Sequence, residues 1–204
     1  MNVLITSASR KVGLVRAFQA ALTRHGGGSV IAVDTNACAP ALYVADRHFL
    51  VLPGDDVHFL EEIAQLCQRE RVGLIIPTRD EELPVFAEGR KPLEQQGIRV
   101  MVPAAETVRL CQDKAAFVEF CRSHNIPTPR TYRSDEWRSA KFPLFVKPRF
   151  GKGAQGARVV RTENELREIV RDADDWVIQE FVDCPEYTVD LLADFDGRVL
   201  SAVP

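Results

Sequence analysis

The sequence has few of the features that mark secreted, metal-binding or nucleic-acid-binding proteins. Among its 204 residues are five cysteines and four histidines. The cysteines are odd in number and none forms a Cys-x-x-Cys pair, so neither a disulfide framework nor a zinc site is expected. The histidines are scattered without metal-ligand spacing. The net charge of −3 provides no basic field to attract nucleic acid or an anionic membrane.

Long apolar runs are also missing. No stretch is long enough to span a bilayer, and residues 1–6 lead straight into a strand, without a charged leader and an apolar signal core. The composition is 46% hydrophobic and 27% charged, which is ordinary for a globular protein. These features predict a cytoplasmic protein that binds neither membranes nor nucleic acid.

Apolar residues alternate between strand and helix periods over the first hundred positions. Buried strands are predicted at 3–5, 30–33, 48–52, 73–77 and 99–102, with helical spacing at 14–22 and 59–66. This alternation predicts an α/β fold, a Rossmann-like doubly wound parallel sheet with helices on both faces. Ligands of such a sheet lie beyond the carboxyl ends of its strands.

One later segment, "FVKPRFGKGAQGARVV" at 145–160, contains G-x-G-x-x-G at Gly151, Gly153 and Gly156. A dinucleotide fingerprint needs a helix directly after the glycines. Here a β-branched run follows, and a helix begins only at Thr162, which forms a capping box with Glu165. The segment therefore predicts a strand, a glycine loop and a strand. Such a flap can cover phosphates with its backbone N–H groups.

The pattern changes after residue 103. Helices are predicted at 106–110, 115–121 and 165–170, and strands at 143–146, 157–161 and 176–180, with a proline-rich connector at 125–129. These elements predict a smaller α+β lobe. Strands at 187–194 and 198–203 follow, joined by an Asp-Gly hairpin turn at Asp196 and Gly197. The predicted domains are 1–111, 112–185 and 186–204.

Polar side chains around the glycine loop suit phosphate and nucleotide binding. Lys147 lies in the strand that enters the loop, and Lys114 stands at the start of a helix. Lys152, in the loop, is either a further phosphate contact or a solvated lysine. The connector after the 176–180 strand can bond a purine edge through its backbone, while Phe181 and Val182 add apolar surface. Glu186 follows, placed to accept from ribose hydroxyls.

Three segments, "QDKAAF" at 112–117, "FVKPRFGKGAQG" at 145–156 and "VIQEFVDCPEYTVDLL" at 177–192, resemble the ATP-grasp superfamily and, within it, its carbamoyl-phosphate-synthase-like carboxylate ligases. The resemblance implies a Rossmann-like domain, a small lobe and a larger lobe, with ATP between the lobes. Lys114 and Lys147 would then bind phosphate beneath the loop Gly151 to Gly156. The backbone at Glu180 and Val182 would hold adenine, and Glu186 the ribose.

The reaction implied by the resemblance is activation of a small carboxylate. ATP phosphorylates the carboxylate, and an amine or thiol displaces phosphate from the acylphosphate. In such proteins the magnesium ligands and catalytic residues stand late in the larger lobe, after the position of Pro204. We therefore expect a part of a longer ligase, without metal ligands or catalytic residues of its own, that turns over little ATP alone. A homodimer is compatible with the sequence.

Two other functions remain open. One is a non-catalytic nucleotide-binding regulatory module. The other is an NAD(P)-dependent oxidoreductase, which rests on the N-terminal alternation, although the turn at 6–13 has one glycine where a dinucleotide site needs three. Asp34 holds the position of a ribose-binding acid but is also a common loop cap. The acids at 80–82 are ordinary first-turn helix residues, with a substrate-facing Arg79 as the alternative.

Overall fold

The chain divides into two compact units, residues 1–108 and 109–204. The computed structural model describes residues 1–133, 136–170 and 173–204. Each unit has its own buried core. The finer domain division at residues 111 and 185 remains a prediction. Among the described residues, no helix is both long and apolar enough to cross a membrane.

The first unit is built on a parallel sheet with strand order β3-β2-β1-β4-β5. The order runs outward from β1 in one direction and then from β4 in the other, which is the doubly wound arrangement that the sequence predicts. The strands are β1 (Asn2–Ile5), β2 (Val30–Asp34), β3 (Arg47–Leu50), β4 (Val72–Ile76) and β5 (Arg99–Val100).

Helices cover both faces of this sheet because successive strand residues point to opposite sides. Leu4 packs in one core with Phe59 and Phe86, whereas Val3 packs in the other with Val15. The helices are α1 (Val12–Arg24), α2 (Phe59–Arg69), α3 (Leu83–Glu88) and α4 (Arg90–Gln95), with a short 3-10 helix at Pro40–Tyr43.

Two predicted strands are shorter than the apolar pattern indicated. Strand β3 ends at Leu50 rather than at Leu52, because the Leu52 amide donates to the Glu62 carboxylate (2.8 Å) instead of to a neighbouring strand. Strand β5 ends at Val100 rather than at Val102. Leu52 and Met101 are both exposed, so an apolar pattern alone does not fix where strand pairing ends.

The second unit contains an antiparallel sheet with strand order β6-β9-β7-β8. Its core includes Leu144, Val146 and Ile178 from the sheet and Leu166 from a helix. The strands are β6 (Thr131–Tyr132), β7 (Leu144–Pro148), β8 (Arg158–Val160) and β9 (Trp176–Glu180). The helices are α5 (Ala105–Gln112), which begins in the first unit, α6 (Lys114–Ser123) and α7 (Glu163–Ile169), with 3-10 helices at Trp137–Ser139 and Ala173–Asp175.

Strand β6 is a strand that the sequence did not predict. Only two residues long, it pairs Thr131 with Gln179 of β9. The buried Gln179 amide also donates to the Thr131 hydroxyl (2.9 Å). A strand of this length carries no periodicity, so only its tertiary partner identifies it.

A final hairpin joins β10 (Asp190–Ala193) to β11 (Val199–Val203). The predicted turn is confirmed, with Gly197 at φ 82° and the Asp194 carboxylate accepting from the Asp196 and Arg198 amides (3.0 and 2.8 Å). The predicted start of the first strand at residue 187 is wrong, since pairing begins only at Asp190.

Candidate functional site

The glycine loop connects β7 to β8, which pair antiparallel with Phe145 opposite Val159. A strand, not a helix, follows the glycines, so the predicted flap is confirmed and a dinucleotide turn is not formed. Inside the loop, the Lys152 carbonyl accepts from the Gln155 amide (3.2 Å) and the Ala154 carbonyl from the Ala157 amide (3.0 Å). The loop is therefore two successive tight turns, exposed to solvent.

Two of the loop glycines are required by the backbone. Gly151 has φ 113° and Gly156 has φ 76°, values that side chains disfavour. At Gly156 the need is also steric, because a Cβ atom would lie 2.9 Å from Cγ of Pro148. The loop thus folds back closely over the end of β7.

A cavity of about 140 Å³ lies against this loop. Its volume is below the ~300 Å³ at which pockets for whole small molecules begin, so it would enclose only part of a ligand. The lining brings together the predicted phosphate-binding residues with the neighbours of the loop, namely Lys114, Phe145, Lys147, Pro148, Gly151, Lys152, Ala154, Gln155 and Ala157.

The two lysines from separate elements make this cavity cationic. Burial lowers the pKa of the Lys147 ammonium, and the nearby charge of Lys114 lowers it further. Both effects express the cost of holding positive charge here without an anion. A phosphate group between the two lysines would remove that cost.

Lys114 is held at the base of the loop. It is the first residue of α6, and its ammonium donates to the carbonyl oxygens of Gly151 (2.7 Å) and Arg149 (3.4 Å). The Asp113 side chain caps the same helix and forms an ion pair with Arg149 (2.6 Å). The sequence analysis did not include Arg149 in the site. Two short motifs could have indicated Arg149: the Asp-Lys pair that starts a helix and the Lys-Pro-Arg that leads into the loop.

The connector predicted to hold adenine follows β9. The Glu180 amide donates to the Arg130 carbonyl (2.9 Å), so only the carbonyl of Glu180 is a candidate for adenine. The Val182 amide meets no backbone acceptor within the part of the chain that the structure describes. The Phe181 and Val182 side chains are partly exposed. They form an apolar edge beside these backbone groups.

The other two predicted residues are exposed. Lys152 lines the cavity, while Glu186 stands in the exposed segment before β10 and does not line it. A second cavity of about 650 Å³ lies along the connector from Arg122 to Glu136, and none of the predicted site residues lines it. The volume alone therefore does not identify the site.

The turn after β1 is held by hydrogen bonds to two carboxylates of the protein itself. The Asp34 carboxylate accepts from the Ser9 and Asn36 amides (2.8 and 2.9 Å), which makes it a loop cap. The buried Glu82 carboxylate accepts from the Thr6 and Ser7 hydroxyls (2.7 and 2.6 Å). A carboxylate in this position repels a pyrophosphate, so the turn is unsuited to a dinucleotide. Sequence reasoning treated Glu82 as a first-turn acid and missed this role.

Acidic, histidine and cysteine side chains are the groups of this chain that could ligate a metal ion. The described residues contain no group of three or more of these side chains that could hold a metal ion.

The chain thus combines a doubly wound sheet with a strand, a glycine loop and a strand beside two lysines, an arrangement expected of proteins that bind phosphate-bearing ligands. The chain belongs to the ATP-grasp superfamily. Residues 3–101 match the family described as PylC-like, N-terminal domain, and residues 111–203 match the ATP-grasp domain family. The predicted resemblance is confirmed.

Curated relatives include ligases and transferases. The chain is 32% identical over 149 residues to the formate-dependent phosphoribosylglycinamide formyltransferase of Proteus mirabilis, covering 69% of this chain and 35% of that protein. It is 23% identical over 189 residues to the carbamoyl-phosphate synthase of Methanobrevibacter smithii, covering 89% of this chain and 50% of that protein. The chain thus spans a third to a half of the length of these relatives.

Solved structures share the fold. Biotin carboxylase of Campylobacter jejuni superposes with a TM-score of 0.71 at 14% identity, over 97% of this chain and 49% of that one. An L-amino acid ligase of Bacillus licheniformis gives 0.69 at 20% identity, over 98% and 49%. The biotin carboxylase domain of Hydrogenobacter thermophilus 2-oxoglutarate carboxylase gives 0.64 at 20%, over 89% and 44%.

Proposed function

We propose that this chain is the ATP-binding part of an ATP-grasp ligase that joins a small carboxylate to an amine or a thiol through an acylphosphate. The observation that carries the proposal is the convergence of Lys114 and Lys147 on one cavity beneath the loop Gly151 to Gly156. Phosphoryl transfer depends on positioning and charge neutralisation, and two lysines with a flap of backbone N–H groups supply both.

Each element has a separate task in this proposal. Lys147 reaches the phosphates from β7, and the glycine loop covers them. Lys114 exchanges its bond to the Gly151 carbonyl for a phosphate oxygen, which frees the loop to adjust over the nucleotide. The Val182 amide and the Glu180 carbonyl bond the adenine edge, and Glu186 accepts from the ribose.

The substrate class is proposed from the relatives. The formyltransferase is named for formate and the ligase for L-amino acids, and the 2-oxoglutarate carboxylase domain was solved with MgADP, ADP and bicarbonate. Formate, amino acids and bicarbonate all present a carboxylate-type oxygen that ATP can phosphorylate. A small carboxylate is therefore the substrate that we propose here.

Magnesium and full turnover belong to the same proposal. The Hydrogenobacter thermophilus domain was solved with MgADP, which supports magnesium as the partner ion of ATP in this fold. The described residues hold no metal cluster, and the chain spans half or less of its relatives. We therefore propose that the 204 residues alone bind nucleotide and turn over little ATP.

Location and assembly are proposed on two further observations. All five cysteines are free, which is typical of the reducing cytoplasm. The Hydrogenobacter thermophilus domain was solved as a dimer, which supports a homodimer. No partner nucleic acid or membrane is proposed.

Calorimetry with ADP, ATP and NAD tests the proposal. We expect ADP and ATP to bind, and the affinity to fall about tenfold or more in Lys147→Ala, because one charge-assisted phosphate contact is lost. Lys141→Ala removes an exposed lysine of the same unit and should bind like the unchanged chain. Binding of NAD alone would contradict the proposal.

An assay of ADP release then separates a ligase part from a regulatory module. Little release is expected from the 204 residues when a carboxylate and an amine are added. Robust release would show that the chain is catalytically complete. If a longer form of the protein also binds ATP but never releases ADP, the regulatory alternative is correct.

A further inference from the structure

The start of α6 and the entry to the glycine loop are joined by one ion pair with two parallel contacts. The Arg149 guanidinium donates through Nε to Oδ1 of Asp113 (2.8 Å) and through Nη2 to Oδ2 (2.6 Å). The Asp113 side chain is 15% exposed and that of Arg149 is 35% exposed. This two-point geometry fixes orientation as well as distance, which a lysine in place of Arg149 could not do.

Backbone contacts extend the same junction to the phosphate-binding lysine. The Lys114 amide donates to the Arg149 carbonyl (3.1 Å), and the Lys114 ammonium donates to the Gly151 carbonyl (2.7 Å). The Arg149 amide in turn donates to the Asp175 carbonyl (2.8 Å) just before β9. Arg149 is thus held from two sides, and Lys114 is held through Arg149.

Asp113 does two things with one carboxylate. Its Oδ1 accepts from the Ala115 and Ala116 amides (3.0 and 3.1 Å), which caps α6. The hydrogen bond from Arg149 lowers the pKa of Asp113 to about 2 and raises the pKa of Arg149. Both groups therefore stay ionised throughout the neutral range.

We propose that Asp113 and Arg149 are positioning residues that set the Lys114 ammonium and the base of the glycine loop around the nucleotide phosphates. This inference rests on the proposed ATP site and adds residues to it that neither touch adenine nor form the flap. Without the pair, only the bonds from Lys114 to the Arg149 and Gly151 carbonyls join the helix start to the loop entry, and they do not fix the orientation that the two-point contact fixes. The phosphate-binding groups then lose their common geometry, while the adenine-binding connector after β9 keeps its own.

Two variants separate the ion pair from the helix cap. Asp113→Asn keeps an oxygen that caps α6, since asparagine is as good an N-cap as aspartate, and removes the charge that pairs with Arg149. Arg149→Gln removes the other partner. Arg122→Gln is the matched control, because it breaks an exposed Arg122–Glu119 pair (2.8 Å) on the same helix. All are measured in the 204-residue chain by NMR titration with adenosine, ADP and ATP.

The expected result is selective for phosphate. Both pair variants should weaken ADP and ATP about tenfold or more, the factor for one charge-assisted hydrogen bond, and leave adenosine affinity unchanged. The double variant should lose no more than either single one, because both remove one interaction. Hydrogen exchange at the Lys114 amide should accelerate in the pair variants and stay unchanged in Arg122→Gln.

Several outcomes overturn the inference. Unchanged ADP and ATP affinity in Asp113→Asn, alongside lost affinity in Lys147→Ala, overturns the positioning role alone and leaves the proposed function standing. An equal loss for adenosine shows a general structural effect and also overturns it. If the unchanged chain binds no nucleotide, or Lys147→Ala binds normally, the proposed function fails and this inference fails with it.

Discussion

Asp113 shows how much a single carboxylate determines at the residue scale. It accepts four hydrogen bonds, two from the start of α6 and two from Arg149. The strongest cause of its low pKa is the bond from Arg149. The pair is part of the fold's stability as well as of the proposed phosphate site, and the two contributions can be measured separately.

The lowered pKa of Asp113 predicts an acid-sensitive part of the stability. Its pKa falls from 3.8 to about 2 on folding, so the unfolded chain takes up the proton first. The stabilisation is therefore complete above about pH 4 and is lost as the pH falls towards 2. Urea unfolding from neutral to acid pH should show this loss in the unchanged chain but not in Asp113→Asn. Parallel pH profiles would contradict the ion pair.

Some residues of the site could be predicted from the sequence, and others could not. Lys114, Lys147 and the three glycines lie in local patterns with a known chemistry, and the structure brings both lysines to one cavity. Arg149 and Glu82 were missed because their partners are distant in the sequence. Arg149 pairs with Asp113, 36 residues away. Glu82 accepts from Thr6 and Ser7, more than 70 residues away. A charged side chain without its partner looks like a surface residue.

At the scale of elements, the loop between β7 and β8 depends on glycine to different degrees. Gly153 has φ 60° and open space where a Cβ atom would lie, while Gly156 has φ 76° and a Cβ atom there would lie 2.9 Å from Cγ of Pro148. A side chain at Gly153 meets only backbone strain, whereas one at Gly156 also collides with the end of β7.

This difference predicts unequal costs for two matched substitutions. Gly153→Ala should destabilise the protein by about 1 kcal/mol through its positive φ. Gly156→Ala should cost about 1 to 3 kcal/mol more, since Pro148 in β7 must shift. Denaturant unfolding of the two variants measures the difference. Equal costs would mean that the loop does not pack against Pro148.

Elements with a clear apolar period were predictable from the sequence, whereas strand β6 was not. The alternating strands and helices of the first unit carry two clear periods, so the parallel sheet was predicted with errors only at strand ends. Strand β6 has two residues and owes its place to Gln179. The predicted capping box at Thr162 forms in part, as Thr162 accepts from the Glu165 amide (3.3 Å) while the Glu165 carboxylate bonds the Arg161 amide.

At the scale of the whole molecule, the exposed apolar side chains of the β10–β11 hairpin bear on behaviour in solution. Its exposed side chains include Leu191 at 66%, Leu200 at 59% and Val203 at 58%. Apolar strands with open edges associate with other chains. This exposure is consistent with the homodimer that we propose and also with less specific association.

Because of these exposed apolar side chains, we expect the 204-residue chain to self-associate as its concentration rises. Sedimentation velocity should show larger species as the concentration rises. Leu191→Glu should reduce them, because it places a charge in the apolar strand. Thr188→Glu, in the exposed segment before the hairpin, is the control and should not. A chain that stays monomeric at all concentrations would show that the exposed hairpin makes no contacts.

NMR titration with ADP would locate the nucleotide that we propose binds beneath the glycine loop. Amide shifts on titration identify the residues that the nucleotide touches, without relying on turnover. We predict the largest shifts at Gly151, Gly153 and Gly156, with a second group at Val182. Shifts confined to the turn after β1, around Ser9 and Asp34, would contradict the claim and restore the dinucleotide reading of the first unit.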